Sequence, residues 1–139
     1  MQALEYTKNV SKQIQRLLAV GFVAFVANLV WEFGHASLYT HYQGGEITHF
    51  ILTRAALFDA IIIMLFAYPF LIFAAFKKRI WIMVLILLLF AVGLEMWALG
   101  TSRWEYTDLM LIVPFIQTGL SPTIQLALTG WGTYLLVSR

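Results

Sequence analysis

The chain contains no cysteine. Disulfides, thiol nucleophiles and thiolate metal sites are therefore excluded, and the redox compartment leaves no trace in the sequence. Charge is scarce as well. Asp, Glu, Lys and Arg make up 12% of the 139 residues, against roughly 25% in a soluble domain. The basic residues are scattered or sit at the ends of apolar runs, which excludes a nucleic-acid footprint and a nucleic-acid partner. No phosphate-binding glycine loop, nucleophile elbow, zinc-protease motif or kinase signature occurs. Internal repeats, low-complexity tracts and linkers are also missing, so the whole chain, 1–139, reads as one integral membrane domain.

What is abundant is hydrocarbon: 61% of the residues are hydrophobic and 16% aromatic, with a mean hydropathy of +0.82. Disorder is excluded by that composition, and a small water-soluble domain could not hide so much apolar surface. Four apolar runs are visible, and a membrane-crossing helix needs about 20 mostly apolar residues. The expected spans are 17–39, 53–76, 80–100 and 121–138. The last run, from Leu109 to Val137, is too long for one straight helix and contains Pro114, Gly119 and Pro122. Ser121 is expected as its N-cap and Pro122 as its first helical residue. The segment from Trp104 to Leu120 then becomes an apolar loop or re-entrant piece that roofs the other helices. Met1–Arg16 is expected to form a short amphipathic helix, with Val10, Ile14 and Leu17 or Leu18 at helical spacing, lying on acidic headgroups. Pro69 is expected to kink the second span, and Gly44-Gly45 to make a turn.

Lys and Arg set the orientation. Lys8, Lys12, Arg16, Lys77, Lys78, Arg79 and Arg139 fall at the N-terminus, the second turn and the C-terminus. Only Arg54 and Arg103 fall in the other two connections. The fold class expected is therefore all-α: a transmembrane four-helix bundle with both termini cytoplasmic. A cleaved signal peptide fits less well, because the first run is long, carries Glu32 and lacks a small-residue cleavage site.

Function is approached through the polar residues inside the apolar runs. Glu32 and His35 lie in the last turns of span 1, Asp59 early in span 2 and Glu95 late in span 3. With alternating span directions all four fall in the extracytoplasmic half, roughly 5–12 Å below that surface at 1.5 Å per residue. Intramembrane charge is costly and normally faces the bundle interior or a water-filled cavity. Three carboxyls at one depth repel if all ionise, so at least one should stay protonated or pair with His35, Arg54 or Arg103. Glu32, His35, Asp59 and Glu95 are therefore the expected proton-handling set, with convergence in one outward-facing cavity. The plain alternative is a hydrogen-bonded lock between helices. Glu32 and His35 share a helix face at i,i+3. That spacing also occurs in carboxylate-bridged metal bundles, with His41 or His49 as conceivable further ligands. It occurs once only, and the expectation is no metal and no cofactor.

Trp31, Tyr39, Tyr42, Trp97, Trp104 and Tyr106 gather at the same end. An aromatic belt at the interface explains them, but Trp31 and Trp97 neighbour the carboxyls closely enough to wall a pocket. Trp31, Arg54, Trp97, Arg103 and Gln117 are the expected substrate-binding residues, Arg103 for an anionic group and Gln117 from the lid.

Several short pieces resemble a group of small bacterial four-span integral membrane proteins with no assigned activity. They are Trp31-Glu32 followed by Leu38-Tyr39, Asp59, Glu95-Met96-Trp97, and Trp104-Glu105-Tyr106-Thr107-Asp108-Leu109-Met110 with Pro114, Gly119-Leu120-Ser121-Pro122 and Gln125. The resemblance implies a loop before Ser121 and no chemistry. The layout is also similar to that of sterol-isomerase-like four-helix membrane domains, from which no residue role is carried over.

The function expected is acid–base chemistry on a lipid or isoprenoid-like ligand. The alternatives are a small proton-coupled transporter or channel subunit and a non-catalytic subunit of a larger membrane complex. The bilayer itself and a second copy or a larger complex are the partners expected.

Overall fold

The computed structural model describes the backbone of residues 2–139 and the side chains from residue 5 onward. Met1, and with it the start of the expected amphipathic segment, lies outside the described residues. The chain is mostly helical. Its elements are α1 (Gln2–His35), a 3-10 turn (Ala36–Leu38), β1 (Tyr39–Tyr42), α2 (His49–Ile72), a single turn α3 (Ala74–Lys77), α4 (Ile80–Gly100), β2 (Trp104–Tyr106) and α5 (Leu120–Val137). Helices α1, α2 and α4 are long and apolar enough to cross a membrane. Their outward faces carry Phe22, Val30, Leu65, Trp81 and Leu89 in the open, a distribution suited to lipid rather than water.

Helix α1 is one continuous rod of 34 residues, about 50 Å long at 1.5 Å per residue. The expected break between an amphipathic segment and span 1 is absent. Nothing between Arg16 and Leu17 stops a helix: there is no glycine, proline or capping side chain there. At its other end the helix stops at His35 and tightens into the 3-10 turn instead of running on to Tyr39.

Helix α2 begins at His49, upstream of the apolar run, because the Thr48 hydroxyl accepts the Ile51 amide proton at 3.3 Å and caps the helix. Pro69 lies in its last turn rather than at mid-span. The helix ends three residues later, at Ile72, and the extended backbone of Phe73 (φ −87°, ψ 120°) leads into α3. The freed Phe70 carbonyl accepts a proton from the Tyr134 hydroxyl of α5 at 3.1 Å. Lys77, Lys78 and Arg79 complete the tight turn into α4, closed by Arg79 N–H to Phe76 O at 2.8 Å.

The last helix starts at Leu120, with Gly119 as its N-cap residue (φ −65°, ψ 137°). Ser121 is therefore inside the first turn, and its hydroxyl is free to bond side chains of α1 instead of capping. Pro122 still falls in the first turn, where its missing N–H costs nothing.

The two long connections are not separate loops. They pair as a two-stranded antiparallel sheet, Tyr39 opposite Tyr106, His41 opposite Glu105 and Tyr42 opposite Trp104, with a bulge near Thr40. Gln43 and Gly44 turn the chain after β1 with φ of 50° and 75°. The glycine takes the left-handed position at no steric cost. Beyond β2, residues 107–119 form a second turn, held by Val113 N–H to Thr118 O at 2.8 Å and Leu120 N–H to Leu111 O at 2.7 Å.

Helix α1 packs along α2 and α5, and α5 packs along α4. Val20, Ala24, Ile63, Ala67, Met83, Leu87 and Leu126 are buried between them. Small residues (Ala24, Ala60, Ala91, Ala127, Gly130) let these helices approach closely. At the basic-turn end and the middle, the core is largely apolar, broken by the Thr133 and Tyr134 hydroxyls of α5. At the sheet end it is polar.

Candidate functional site

Each turn of α1 that faces the bundle near its end contributes one polar residue: Asn28, Glu32 and His35, spaced four and three apart on one face. Helix α5 answers with Ser121, Gln125 and Thr129 at i,i+4,i+8. Asp59 projects from α2 and Glu95 from α4, and both are buried.

Gln125 is the hub. Its Nε2 lies 2.7 Å from Glu32 Oε1, 2.9 Å from Asp59 Oδ2 and 3.1 Å from Asn28 Oδ1. Asn28 donates its own amide proton to Ala24 O at 2.8 Å, and Thr129 Oγ1 reaches Asn28 Oδ1 at 3.2 Å.

A second strand of the network runs along the α1–α5 contact. Trp31 Nε1–H donates to Ser121 Oγ at 3.1 Å, Ser121 Oγ lies 2.8 Å from His35 Nδ1, and His35 Nε2 lies 3.4 Å from Glu32 Oε2. The imidazole thus bridges the Ser121 hydroxyl of α5 and the Glu32 carboxyl of its own helix.

Glu95 is held by the sheet. Its Oε2 accepts from Trp104 Nε1–H at 3.2 Å and from the Tyr106 hydroxyl in a shorter bond. The Tyr106 oxygen in turn accepts the Gly119 amide proton at 2.9 Å. The β2 strand thus clamps the end of α4 to the start of α5. Burial, and then the bond to Glu95, push the Tyr106 phenol above its ordinary value. Tyr39 is pushed up too, first by burial and then by the nearby Glu95 and Glu32 carboxyls. Its ring meets His35 at 5.3 Å and Tyr106 at 5.5 Å between centroids.

These groups surround a cavity of about 820 Å³ between α2, α4 and the sheet, within the size range of small-molecule sites. Glu32, Asp59 and Glu95 all line it, as do Arg54, Trp97 and Arg103. Three expected residues do not. His35 stands behind Glu32, only 6% exposed, and reaches the cavity through that carboxyl. Trp31 also stands behind, spent on Ser121. Gln117 is exposed in the 107–119 turn at φ 58°, where its backbone bonds Val113 and its side chain has no part in the cavity lining. The expected roof is displaced as well. Of Trp104–Leu120, only Trp104 lines the cavity, and the cover is built instead from Tyr39, His41, Tyr42 and Gln43 with Arg103 and Trp104. Residue 107–119 backbone bonds to itself and turns outward, leaving Phe115 fully exposed.

Gln125 and Asn28 carry no charge, so a search for intramembrane charge passes over them. Their spacing from Glu32 and Thr129 was the available signal. His41 and His49 are engaged away from the carboxyls. His41 accepts from Gly44 N–H at 3.0 Å and approaches Glu105 at 3.7 Å, and His49 packs against Phe33. Among the described residues no group of three His, Asp or Glu side chains is arranged to hold a metal ion.

No family model matches the chain, and neither the curated proteins nor the solved structures offer a match.

Proposed function

We propose that this protein is a four-span membrane protein of the bacterial inner membrane, with both termini cytoplasmic, that performs acid–base chemistry on a lipid or isoprenoid-like molecule. Helix α5 serves as the fourth span. Its modest apolarity comes from Thr123, Gln125, Thr129 and Thr133, which face inward, while Leu128, Trp131 and Leu136 face outward. The resemblance of the Trp31-Glu32 and Trp104–Met110 pieces to small four-span membrane proteins supports this reading.

The observation that carries the chemical reading is the meeting of Glu32, Asp59 and Glu95, from three helices, on one cavity. Glu32 and Asp59 are brought to one amide donor, that of Gln125, and paired carboxyls at one cavity are the arrangement in which one group donates a proton to a ligand and its neighbour accepts one. Below the network the core around Val20, Ile63, Met83 and Leu87 is mostly hydrocarbon, interrupted on α5 by the Thr133 and Tyr134 hydroxyls, a sparse polar route that favours chemistry over proton-coupled transport.

Turnover of a bacterial lipid extract by the detergent-solubilised protein tests this. Glu32→Gln and Glu95→Gln are expected to abolish turnover while the protein remains folded and membrane-inserted. Full activity in both variants would reduce the cluster to a lock between helices, the arrangement expected of a non-catalytic subunit.

A further inference from the structure

The cavity is amphipathic in a particular order. Its inner wall holds the carboxyls, its rim holds two arginines, and its side between α2 and α4 is hydrocarbon. Arg54 lies on α2, where Ile51, Arg54 or Ala55, and Phe58 recur at i,i+3/4,i+7 and so share the lining face. Its Nη2 donates to the Tyr42 hydroxyl at 2.8 Å, and its guanidinium lies 5.4 Å from the centre of that ring. Arg103, at the start of β2, lies 4.5 Å from the centre of the Trp97 ring. The two rim positions are tied together, because Gln43 N–H, next to Tyr42, bonds Arg103 O at 2.6 Å. Among the described residues neither arginine has a carboxylate at ion-pair distance. Two guanidiniums are thus positioned on aromatic faces at one rim, with most of their donors unused. Guanidinium donors fit phosphate oxygens in a bidentate fork.

The hydrocarbon side is open where it meets the rim. Phe58 on α2 is 43% exposed and Trp97 on α4 is 50% exposed, and both line the cavity. Toward the basic turn the same gap is closed by Phe90, packed at 6.5 Å from Phe58 and 6.0 Å from Phe66. A chain leaving the cavity therefore passes between Phe58 and Trp97 into the surroundings of the helices.

We propose that the cavity binds a phosphate-bearing amphiphile, its phosphate held at the rim by Arg54 and Arg103 and its hydrocarbon chain leaving between α2 and α4 past Phe58 and Trp97. The inference deepens the acid–base reading, on which it rests for the role of the inner carboxyls. Glu32, Asp59 and Glu95 repel a phosphate, so it stays at the rim, and the uncharged part of the molecule reaches them.

Binding of tritiated farnesyl phosphate to the purified full-length protein, in a nonionic sterol-type detergent, tests it. Binding should saturate. Arg54→Gln and Arg103→Gln should each weaken it about tenfold, the loss of a charge-assisted hydrogen bond. Lys78→Gln, at the opposite end, should leave it unchanged. Tritiated farnesol should bind at least about tenfold more weakly and be indifferent to both arginine substitutions. Inorganic phosphate should fail to compete at concentrations where farnesyl phosphate saturates. A photoreactive group at the end of the chain should label α2 and α4 around Phe58 and Trp97. Equal binding of farnesol and farnesyl phosphate, or arginine variants that bind as the parent does, would overturn the proposal. Competition by inorganic phosphate as strong as by farnesyl phosphate would make this a free-phosphate site and overturn it too, as would labelling confined to α1 and α5. The assay needs no turnover, so its failure leaves the carboxyl chemistry standing, and active Glu→Gln variants leave the binding result standing.

Discussion

Gln125 has two amide protons and three acceptors within 3.1 Å: Glu32, Asp59 and Asn28. Replacing it with leucine removes both protons and leaves buried oxygens without donors, each costing about 1–3 kcal/mol and more if charged. Gln125→Leu is therefore expected to lower unfolding stability by about 3 kcal/mol or more, read by thermal or denaturant unfolding in detergent. Gln117→Leu, on the exposed turn, should stay within about 0.5 kcal/mol of the parent. If the two variants behave alike, the hub assignment is wrong. The tyrosines give a pH signature. Tyr39 and Tyr106 hold their protons in the folded state to a pH above the ordinary phenol value, which is about 10. The folded state then binds protons that the unfolded chain has released, so stability is complete below about pH 10 and falls as pH rises beyond it. Tyr39→Phe and Tyr106→Phe should each flatten that alkaline decline. Tyr106→Phe should also lower stability at neutral pH, because Glu95 loses a donor and the Gly119 amide loses its acceptor. An unfolding series from pH 7 to about pH 11 separates the two effects. Charged residues in apolar runs are conspicuous in a sequence, which is why Glu32, Asp59 and Glu95 could be read there. Neutral partners and the direction of a side chain are not, which is why Gln125 and Asn28 were missed and Gln117 was misplaced.

Helix limits depend on a few residues near each end, and the apolar runs do not report them. Thr48 starts α2 four residues before Leu52, and the extended Phe73 ends it at Ile72, four residues short of the end of the apolar run at Phe76. The α4 limits, Ile80–Gly100, coincide with the apolar run because a basic turn and a glycine bound both. The β1–β2 pairing was not legible at all. Tyr39–Tyr42 and Trp104–Tyr106 are separated by α2, α3 and α4, and their pairing follows from α1 and α4 both ending at the same end of the bundle. Close approach between helices also has a local cause. A methyl group at Gly130 of α5 would run into Leu87 of α4, which is fully buried and cannot move aside. Gly130→Ala should therefore lose about 1–3 kcal/mol from overpacking, although alanine favours helix by about 1 kcal/mol elsewhere. At Gly132, where a methyl meets nothing within 4 Å, the same change should be neutral or stabilising. Melting temperatures of the two variants decide the point, and equal shifts would mean that α5 does not pack against α4 through Gly130.

The whole molecule is asymmetric along its long axis, and this asymmetry connects its charge to its chemistry. One end carries Lys77, Lys78 and Arg79 in a tight turn beside an apolar core. The other carries the paired strands, the cavity and the buried carboxyls. Lys and Arg are retained on the cytoplasmic side of short connections, so the basic turn is expected inside and the cavity rim outside. Arg54 and Arg103, the two exceptions in the charge pattern, are also the two residues at the cavity rim. Their expected place away from the cytoplasmic side fits the proposed binding role better than an orienting one. Single cysteines test the arrangement directly, because the parent chain has none. Gly45→Cys, in the exposed turn after β1, and Thr107→Cys, just beyond β2, should react with a membrane-impermeant maleimide in intact cells. Lys78→Cys and Ser138→Cys should react only after the membrane is opened. Labelling of Lys78→Cys with protection of Gly45→Cys would invert the expected orientation and put the cavity on the cytoplasmic face, where the proposed amphiphile would have to arrive from the inner leaflet. Reaction of Ser138→Cys together with Gly45→Cys would remove α5 as a span, since the chain end could then share a side with the β1 turn only if one helix failed to cross.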